Sequence, residues 1–245
     1  MNQLQNDPAQ APKPYPRRRT YGRFAFEFLS IFVAVISAFA LNNWNEERRD
    51  RNAEEKILSE IRNGLEQDKA DIGVNMYGHT VGLAACDYWQ QVIQNEPVPE
   101  DSIAMQLLNL TRDFIAIQNR AGYESLKSKG LELITDDTLR LDIIAIYEYD
   151  FATLKNLEEQ YEELQFQRNY FRDFRDILGP YLIWDQEEKI TGIRRPVQLS
   201  DKEKSVLMMD LWKIRTNRKF ALYFYQEVNR KIDRLMVRIQ HSVPQ

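Results

Sequence analysis

Apolar residues recur along this chain in two ways: one long, mostly apolar run near the start, then stripes at helical spacing. The run extends from Phe24 to Leu41. No residue from Phe28 to Asn45 is charged, and from Phe28 to Leu41 only Ser30 and Ser37 are polar. A helix rises about 1.5 Å per residue and a bilayer's hydrocarbon core is about 30 Å thick, so roughly 20 residues span it. Residues 24–44 meet that length, with Glu27 near one interface and the amphipathic ring of Trp44 at the other.

The stripes that follow predict helices throughout. Residues 45–56 hold strong helix formers and no breaker, and Ile57, Leu58, Ile61, Leu65 and Ile72 keep helical spacing. The membrane helix therefore extends outward as a stalk to about residue 75. Gly73, Gly78 and Gly82 then predict a bend or a close approach of two helices. A second helix over 79–95, carrying Leu83, Trp89, Val92 and Ile93, is ended by Pro97 and Pro99. A third opens on Glu100 and Asp101, acids favoured by the macrodipole, and runs to Asn119. A short helix from Tyr123 to Lys129 closes on Gly130. A long one over 136–178 has Thr135 as its N-cap and stops at Gly179-Pro180. Residues 181–198 are the least helical, with Ile190–Ile193 fit for a small hairpin. Ser200 and Glu203 form a capping box. It opens a last helix to about residue 240, striped by Leu207, Leu211, Ile214, Phe220, Phe224, Val228, Ile232, Leu235 and Ile239. The fold class is all-α: one N-terminal transmembrane helix continuing into a stalk and an antiparallel helical bundle. The expected divisions are a disordered basic tail over 1–23, the span over 24–44 and a helical domain over 45–245. Pro8, Pro12, Pro14 and Pro16 keep the tail from regular structure.

Charge gives the span a direction. Residues 1–45 hold five Lys or Arg against two acids, a net +3, so the rest of the chain carries −7 of the total −4. The short basic tail is easily retained on the inner side, which places the helical domain outside; in a bacterium that is the periplasm. The basic residues after the span number only one fewer, so the bias is small. Two other readings of the run stay open. A cleaved secretion signal would use the small-x-small pattern Ala38-Phe39-Ala40, and a soluble domain could bury the helix. The basic flank, the length and the interfacial Asn42-Asn43-Trp44 end favour the anchor. Arg18-Arg19 resembles a twin-arginine signal only as any basic flank does. Glu27 within the span is a candidate ion or proton relay. Arg23, four residues away on the same helix face, favours the plainer reading of an interfacial carboxylate.

Residues that carry chemistry are few. A single cysteine, Cys86, excludes a disulfide scaffold, and two histidines, His79 and His241, supply no zinc spacing. Cys86 as a nucleophile with His79 as its base lacks any family-type surroundings, and a small buried thiol is the ordinary state. No phosphate loop, HExxH or GxSxG occurs. Glu158-Glu159, Glu162-Glu163 and Glu187-Glu188 read as solvated helix faces, since neighbours on a helix point about 100° apart. Glu159 and Glu163 share a face without the Glu-x-x-His of di-iron bundles. Phe220, Tyr223, Phe224 and Tyr225 beside Arg215, Arg218 and Lys219 read as a bundle core with a basic outer face rather than a nucleic-acid site, given the acidic domain.

Two stretches look familiar. Glu27 and its apolar run, ending in Asn42-Asn43-Trp44-Asn45-Glu46, resemble a family of bacterial single-pass envelope proteins defined only as a domain of unknown function. Gly122 to Gly130, then Leu131 to Ile134, Asp137 and Leu139-Arg140, are similar to a second part of it. The resemblance implies membrane anchoring and a helical domain, and no activity. A functional reading makes Glu27, Asn42, Asn43, Trp44, Asn45 and Glu46 interface or docking residues; a structural one makes them anchors at the membrane surface. The expectation is a non-enzymatic inner-membrane protein acting through protein contacts. Its partners are the bilayer and another membrane protein or a second copy of itself, without cofactor, metal or nucleic acid. The alternatives are a bundle that senses a small ligand and signals through a partner, and an ion-conducting oligomer using Glu27.

Overall fold

No proline interrupts the chain between Arg17 and Glu96, and the consequence is one helix, α1, from Arg18 to Ile93. The computed structural model describes residues 18–242, with side chains from residue 22. Residues 1–17 of the tail expected over 1–23 lie outside them, and α1 begins at Arg18, inside that stretch. The chain divides into two compact units, one ending at Asn52 and one beginning at Ala53.

In the second unit α1 contributes Leu58, Ile61, Leu65, Asp68, Ile72, Asn75, His79, Gly82, Cys86, Trp89 and Ile93, all buried. Their spacing alternates three and four residues without a slip, the pattern of a seam facing a partner helix. The stalk therefore stops short of its expected end: Ile57 already lies in the core. The bend expected at Gly73–Gly82 and the separate helix at 79–95 are also absent, because α1 runs straight through both. The glycines serve the other expectation, close approach. A Cβ on Gly78 would strike the Phe114 ring, and one on Gly82 the Arg218 side chain. Pro97 and Pro99 follow the end of α1, where Asn95 takes a positive φ of 59°. Its amide clasps Val197 in both directions, with Val197 N–H donating at 2.7 Å and Val197 C=O accepting at 3.0 Å.

After a 3₁₀ turn at Glu100–Ser102, α2 covers Ile103–Thr111. It ends eight residues before the expected Asn119, because residues 112–120 run without regular secondary structure against α1. Asp68 Oδ1 accepts from Asn119 N–H at 2.6 Å, Asp71 Oδ2 from Ile117 N–H at 3.0 Å, and Asn75 donates to Ile115 C=O at 3.1 Å. Alternate backbone groups of an extended segment thus meet successive turns of a helix. Burial pushes the Asp68 carboxyl up to about 6, against the lowering effect of the Asn119 N–H. The short helix α3 (Ala121–Lys129) closes on Gly130 at φ 102°, as the sequence predicts.

The expected 136–178 helix is two. Its first part is α4 (Asp137–Ile144), a π turn (Ala145–Asp150) and α5 (Phe151–Glu159). Its N-cap is Asp136, whose carboxylate accepts from Thr138 and Leu139 N–H at 2.8 and 3.1 Å. Thr135 is instead held by Glu54, which accepts its backbone N–H at 2.9 Å. The chain then breaks at residues 160–165 before α6 (Phe166–Leu178). The N-terminus of α6 is capped from a distance by Asp113, whose Oδ1 accepts from Phe166 N–H at 2.7 Å. An antiparallel hairpin follows, β1 (Leu182–Trp184) and β2 (Ile190–Ile193).

The last helix, α7, spans Asp201–Ser242 without glycine or proline and is opened by the reciprocal Ser200–Glu203 box. It lies antiparallel to α1. Lys69 pairs with Asp233, Asn75 donates to the Tyr225 hydroxyl at 3.1 Å, and Arg215 meets Asp87 at 2.7 Å. Two apolar cores result. One gathers α1 residues 57–72, α3 to α5 and the second half of α7; the other gathers α1 residues 85–93, α2, α6, the hairpin and the first half of α7. A buried polar layer lies between them.

Where α6 and α7 meet, burial and the neighbouring Asp173 carboxylate push Asp210 up to about 7. A carboxyl raised on folding adds stability that is full below its unfolded value of 3.8 and is lost as pH rises through about 7. Asp210→Asn should therefore stabilise the domain at pH 8 by ~1 kcal/mol, after allowing for partial exposure, and by little at pH 4. Urea unfolding at the two pH values checks this; an equal gain at both would contradict it.

Candidate functional sites: an exposed apolar helix and a buried ionic layer

In the first unit α1 presents apolar side chains on every side. Phe28 is 72% exposed, Leu29 56% and Ile31 65%, although successive residues of a helix point about 100° apart and these three face different sides. A helix apolar all round and unburied by its own chain fits a lipid environment rather than an aqueous one. It is the one helix among the described residues long and apolar enough to cross a membrane. Glu27 Oε1 lies 3.2 Å from Arg23 Nε, the i,i+4 pair that the spacing predicts. Ser30 Oγ donates to the Glu27 carbonyl at 2.8 Å, which satisfies the hydroxyl within the helix. Fifteen residues on, and so about 23 Å along the axis, Asn42, Asn45, Glu46 and Arg49 line a small polar recess. The Arg48 guanidinium lies 5.9 Å from the Trp44 ring centre, while Asn43 is exposed. Glu27 and the Asn42–Glu46 group are thus separate sites at the two ends of the apolar run.

In the second unit the convergent ionisable residues are His79 on α1, Glu158 on α5 and Arg218 on α7. His79 and Arg218 are fully buried and Glu158 is 4% exposed. Arg218 Nη1 lies 3.3 Å from His79 Nδ1, and His79 Nε2 lies 3.2 Å from Glu158 Oε1. A guanidinium only donates, so Nδ1 is the acceptor, and the hydrogen-bond pattern assigns the proton to Nε2, which donates to the carboxylate. The histidine is a neutral bridge between cation and anion. Arg218 Nη2 also donates to the carbonyls of Asn109, Leu110 and Arg112 at 3.1, 2.9 and 3.1 Å. It thereby closes the C-terminus of α2, whose last carbonyls have no intrahelical partner. The guanidinium carbon stands 4.2 Å from the Phe166 ring centre. Burial draws Arg218 down to about 10, against the pull of Cys86, Asp113 and Glu158, so it stays charged at neutral pH.

Sealed in this way, the layer fastens α1, α2, α5 and α7 together and offers no open face to a substrate. Cys86 is equally buried, and burial pushes its thiol up to about 11 despite nearby Arg218, far from a nucleophilic thiolate at neutral pH. Among the described residues no three His, Cys, Asp or Glu side chains gather as a metal site. Two sequence readings are corrected here. Glu158 is a buried partner of His79 and does not lie on a solvated face. Arg218 is a core residue and not part of a basic outer face. The pattern held a signal for Arg218: Leu207, Leu211, Ile214, Arg218, Ala221, Tyr225, Val228, Ile232, Leu235 and Ile239 alternate by four and three residues. Phe220 and Phe224 fall off that register, and Phe220 is 40% exposed.

Structural roles account for the Gly122–Gly130 stretch. A Cβ on Gly122 would stand 2.8 Å from the Ile61 backbone nitrogen, so α3 meets α1 backbone to backbone. Tyr123 stacks on Tyr147 with ring centres 4.6 Å apart, and Leu126 is fully buried. Comparison with known protein families, with curated proteins and with solved structures finds no match.

Proposed function

We propose that this chain is a single-pass membrane protein whose helical domain acts through contacts with another membrane protein or with a second copy of itself, and carries out no chemistry. The observation that carries the reading is the apolar surface of residues 24–44, exposed all around α1. The basic tail favours the N-terminus inside, so the domain would face the periplasm of a bacterial inner membrane. A non-enzymatic role is supported by where the ionisable residues are spent: Asp68, Asp113, Asp136 and Arg218 satisfy backbone groups. The acidic balance of the domain favours protein over nucleic acid. The resemblance to a bacterial envelope family of unknown function points the same way. Purification of the full chain from its membrane in mild detergent, with native mass and identification of what co-elutes, tests it. A partner or a homo-oligomer at fixed stoichiometry is expected. A monomer that elutes alone, or a purified protein with reproducible turnover, would overturn it.

The ion-conducting alternative rests on Glu27. Its pairing with Arg23 favours an interfacial carboxylate instead. Glu27→Gln should leave membrane ion leak unchanged in reconstituted vesicles.

A further inference from the structure

Helices α2 and α6 and the hairpin border a cavity of about 490 Å³. The size falls in the range of small-molecule sites, about 300–1,000 Å³. Phe174 and Leu178 of α6 are buried behind its surface. The side chains a ligand can reach are Phe171 of α6, half-buried, and Leu108 and Trp184, exposed at the mouth. Aromatic rings from two separate elements, Phe171 and Trp184, thus meet the same space. The face of α6 that carries Phe171, Phe174 and Leu178 also brings Gln167 and Arg175 to the cavity. Thr111 Oγ, itself buried, donates to Gln167 Oε1 at 2.8 Å, which leaves that side chain its amide N–H groups. Arg175 Nε and Nη2 both lie 2.7 Å from one oxygen of Asp176, which leaves Nη1 for another acceptor. The two side chains of that pair are 58% and 54% exposed, so solvent screens it and it holds the guanidinium weakly. The lining side chains therefore offer a ligand hydrogen-bond donors only, and one of them carries a full positive charge.

We propose that this cavity binds a small aromatic carboxylate, its ring against Phe171 and Trp184 and its carboxylate on Arg175. The apolar wall excludes a ligand that is polar throughout, which would lose its hydration without compensation. The donors at the rim exclude a cation and favour an anion, and a carboxylate is the planar acceptor that a guanidinium matches. A flat ring system presents both face and edge to the two aromatic side chains, a contact that an alkyl chain cannot make. The site lies wholly within the second unit, so it depends neither on the membrane anchor nor on the contact role proposed above.

The test is equilibrium dialysis of the full chain in phosphatidylcholine nanodiscs against naphthoate at neutral pH, with empty nanodiscs as the blank. One saturable site per chain is expected. Arg175→Gln should weaken it at least about tenfold, equivalent to roughly 1.4 kcal/mol. Leu108→Glu, which sets a like charge at the mouth, should weaken it too, and Asp176→Asn, which removes the competing carboxylate, should tighten it. All three residues are more than half exposed, so the variants should keep the helical circular dichroism of the wild type. Naphthamide, the uncharged counterpart, should bind wild type at least about tenfold more weakly than naphthoate and be indifferent to Arg175→Gln. Octanoate, with the charge but no ring, should also bind more weakly than naphthoate. Absence of a saturable site, naphthoate binding that Arg175→Gln leaves unchanged, or naphthamide or octanoate binding as tightly as naphthoate overturns the proposal.

Discussion

Arg218→Met should destabilise the helical domain by about 3–5 kcal/mol, the range seen when one partner of a buried ion pair is removed. The volume of the side chain is roughly kept, so the loss is electrostatic and polar. Glu158 would remain buried with its cation gone, and the carbonyls of Asn109, Leu110 and Arg112 would lose their shared donor. Arg218→Lys keeps the charge but lacks the planar fork that reaches three carbonyls and His79 together, so it should fall between wild type and Met. Urea unfolding of the full chain in detergent, followed by helical circular dichroism, reads both. A loss below about 1 kcal/mol for Met would mean that the layer is dispensable. The loss of about 3–5 kcal/mol should be absent when Arg218→Met is combined with apolar replacements of His79 and Glu158, since a well-packed apolar layer often equals a buried ionic one.

Gly82→Ala should reverse its sign with its neighbour. In an ordinary helix interior this change stabilises by ~1 kcal/mol. Here the new methyl meets Arg218, which is pinned by its carbonyls and cannot swing aside. The expected result is a loss of about 2–3 kcal/mol, the scale of overpacking in a filled core. In an Arg218→Ala background the obstruction is gone, and Gly82→Ala should stabilise by up to ~1 kcal/mol. The same sign in both backgrounds would show that Arg218 does not occupy the notch.

Helix content and the antiparallel pairing were legible in the chain because stripes at helical spacing depend only on local pattern. The capping box at Ser200, the stop at Gly130 and the hairpin near Ile190 are equally local signals, and each stands where its residues place it. The misreadings share one cause: long-range partners overrode local signals. Thr135 has a good N-cap side chain, but Glu54 takes it, leaving the role to Asp136. The segment after Thr111 has helix formers, but Asp68, Asp71 and Asn75 hold its backbone extended. The glycines at 78 and 82 look like weak points in a helix, and their reason, Phe114 and Arg218, lies far along the chain. The ionic layer was hidden because an arginine and a glutamate are ordinarily assigned to the surface. Only the unbroken alternation of four and three residues along α7, with Arg218 at a core position, carried the contrary signal.

The central claim is that residues 24–44 hold the protein in a membrane, and alkaline carbonate extraction of membranes containing the full chain tests it most directly. Wild type should stay with the sedimented membranes. Val33→Arg with Ile36→Arg, each costing about 2.5–3.5 kcal/mol at the centre of a span, should move much of the protein to the supernatant. Wild-type protein released by carbonate as completely as the double variant would contradict the account.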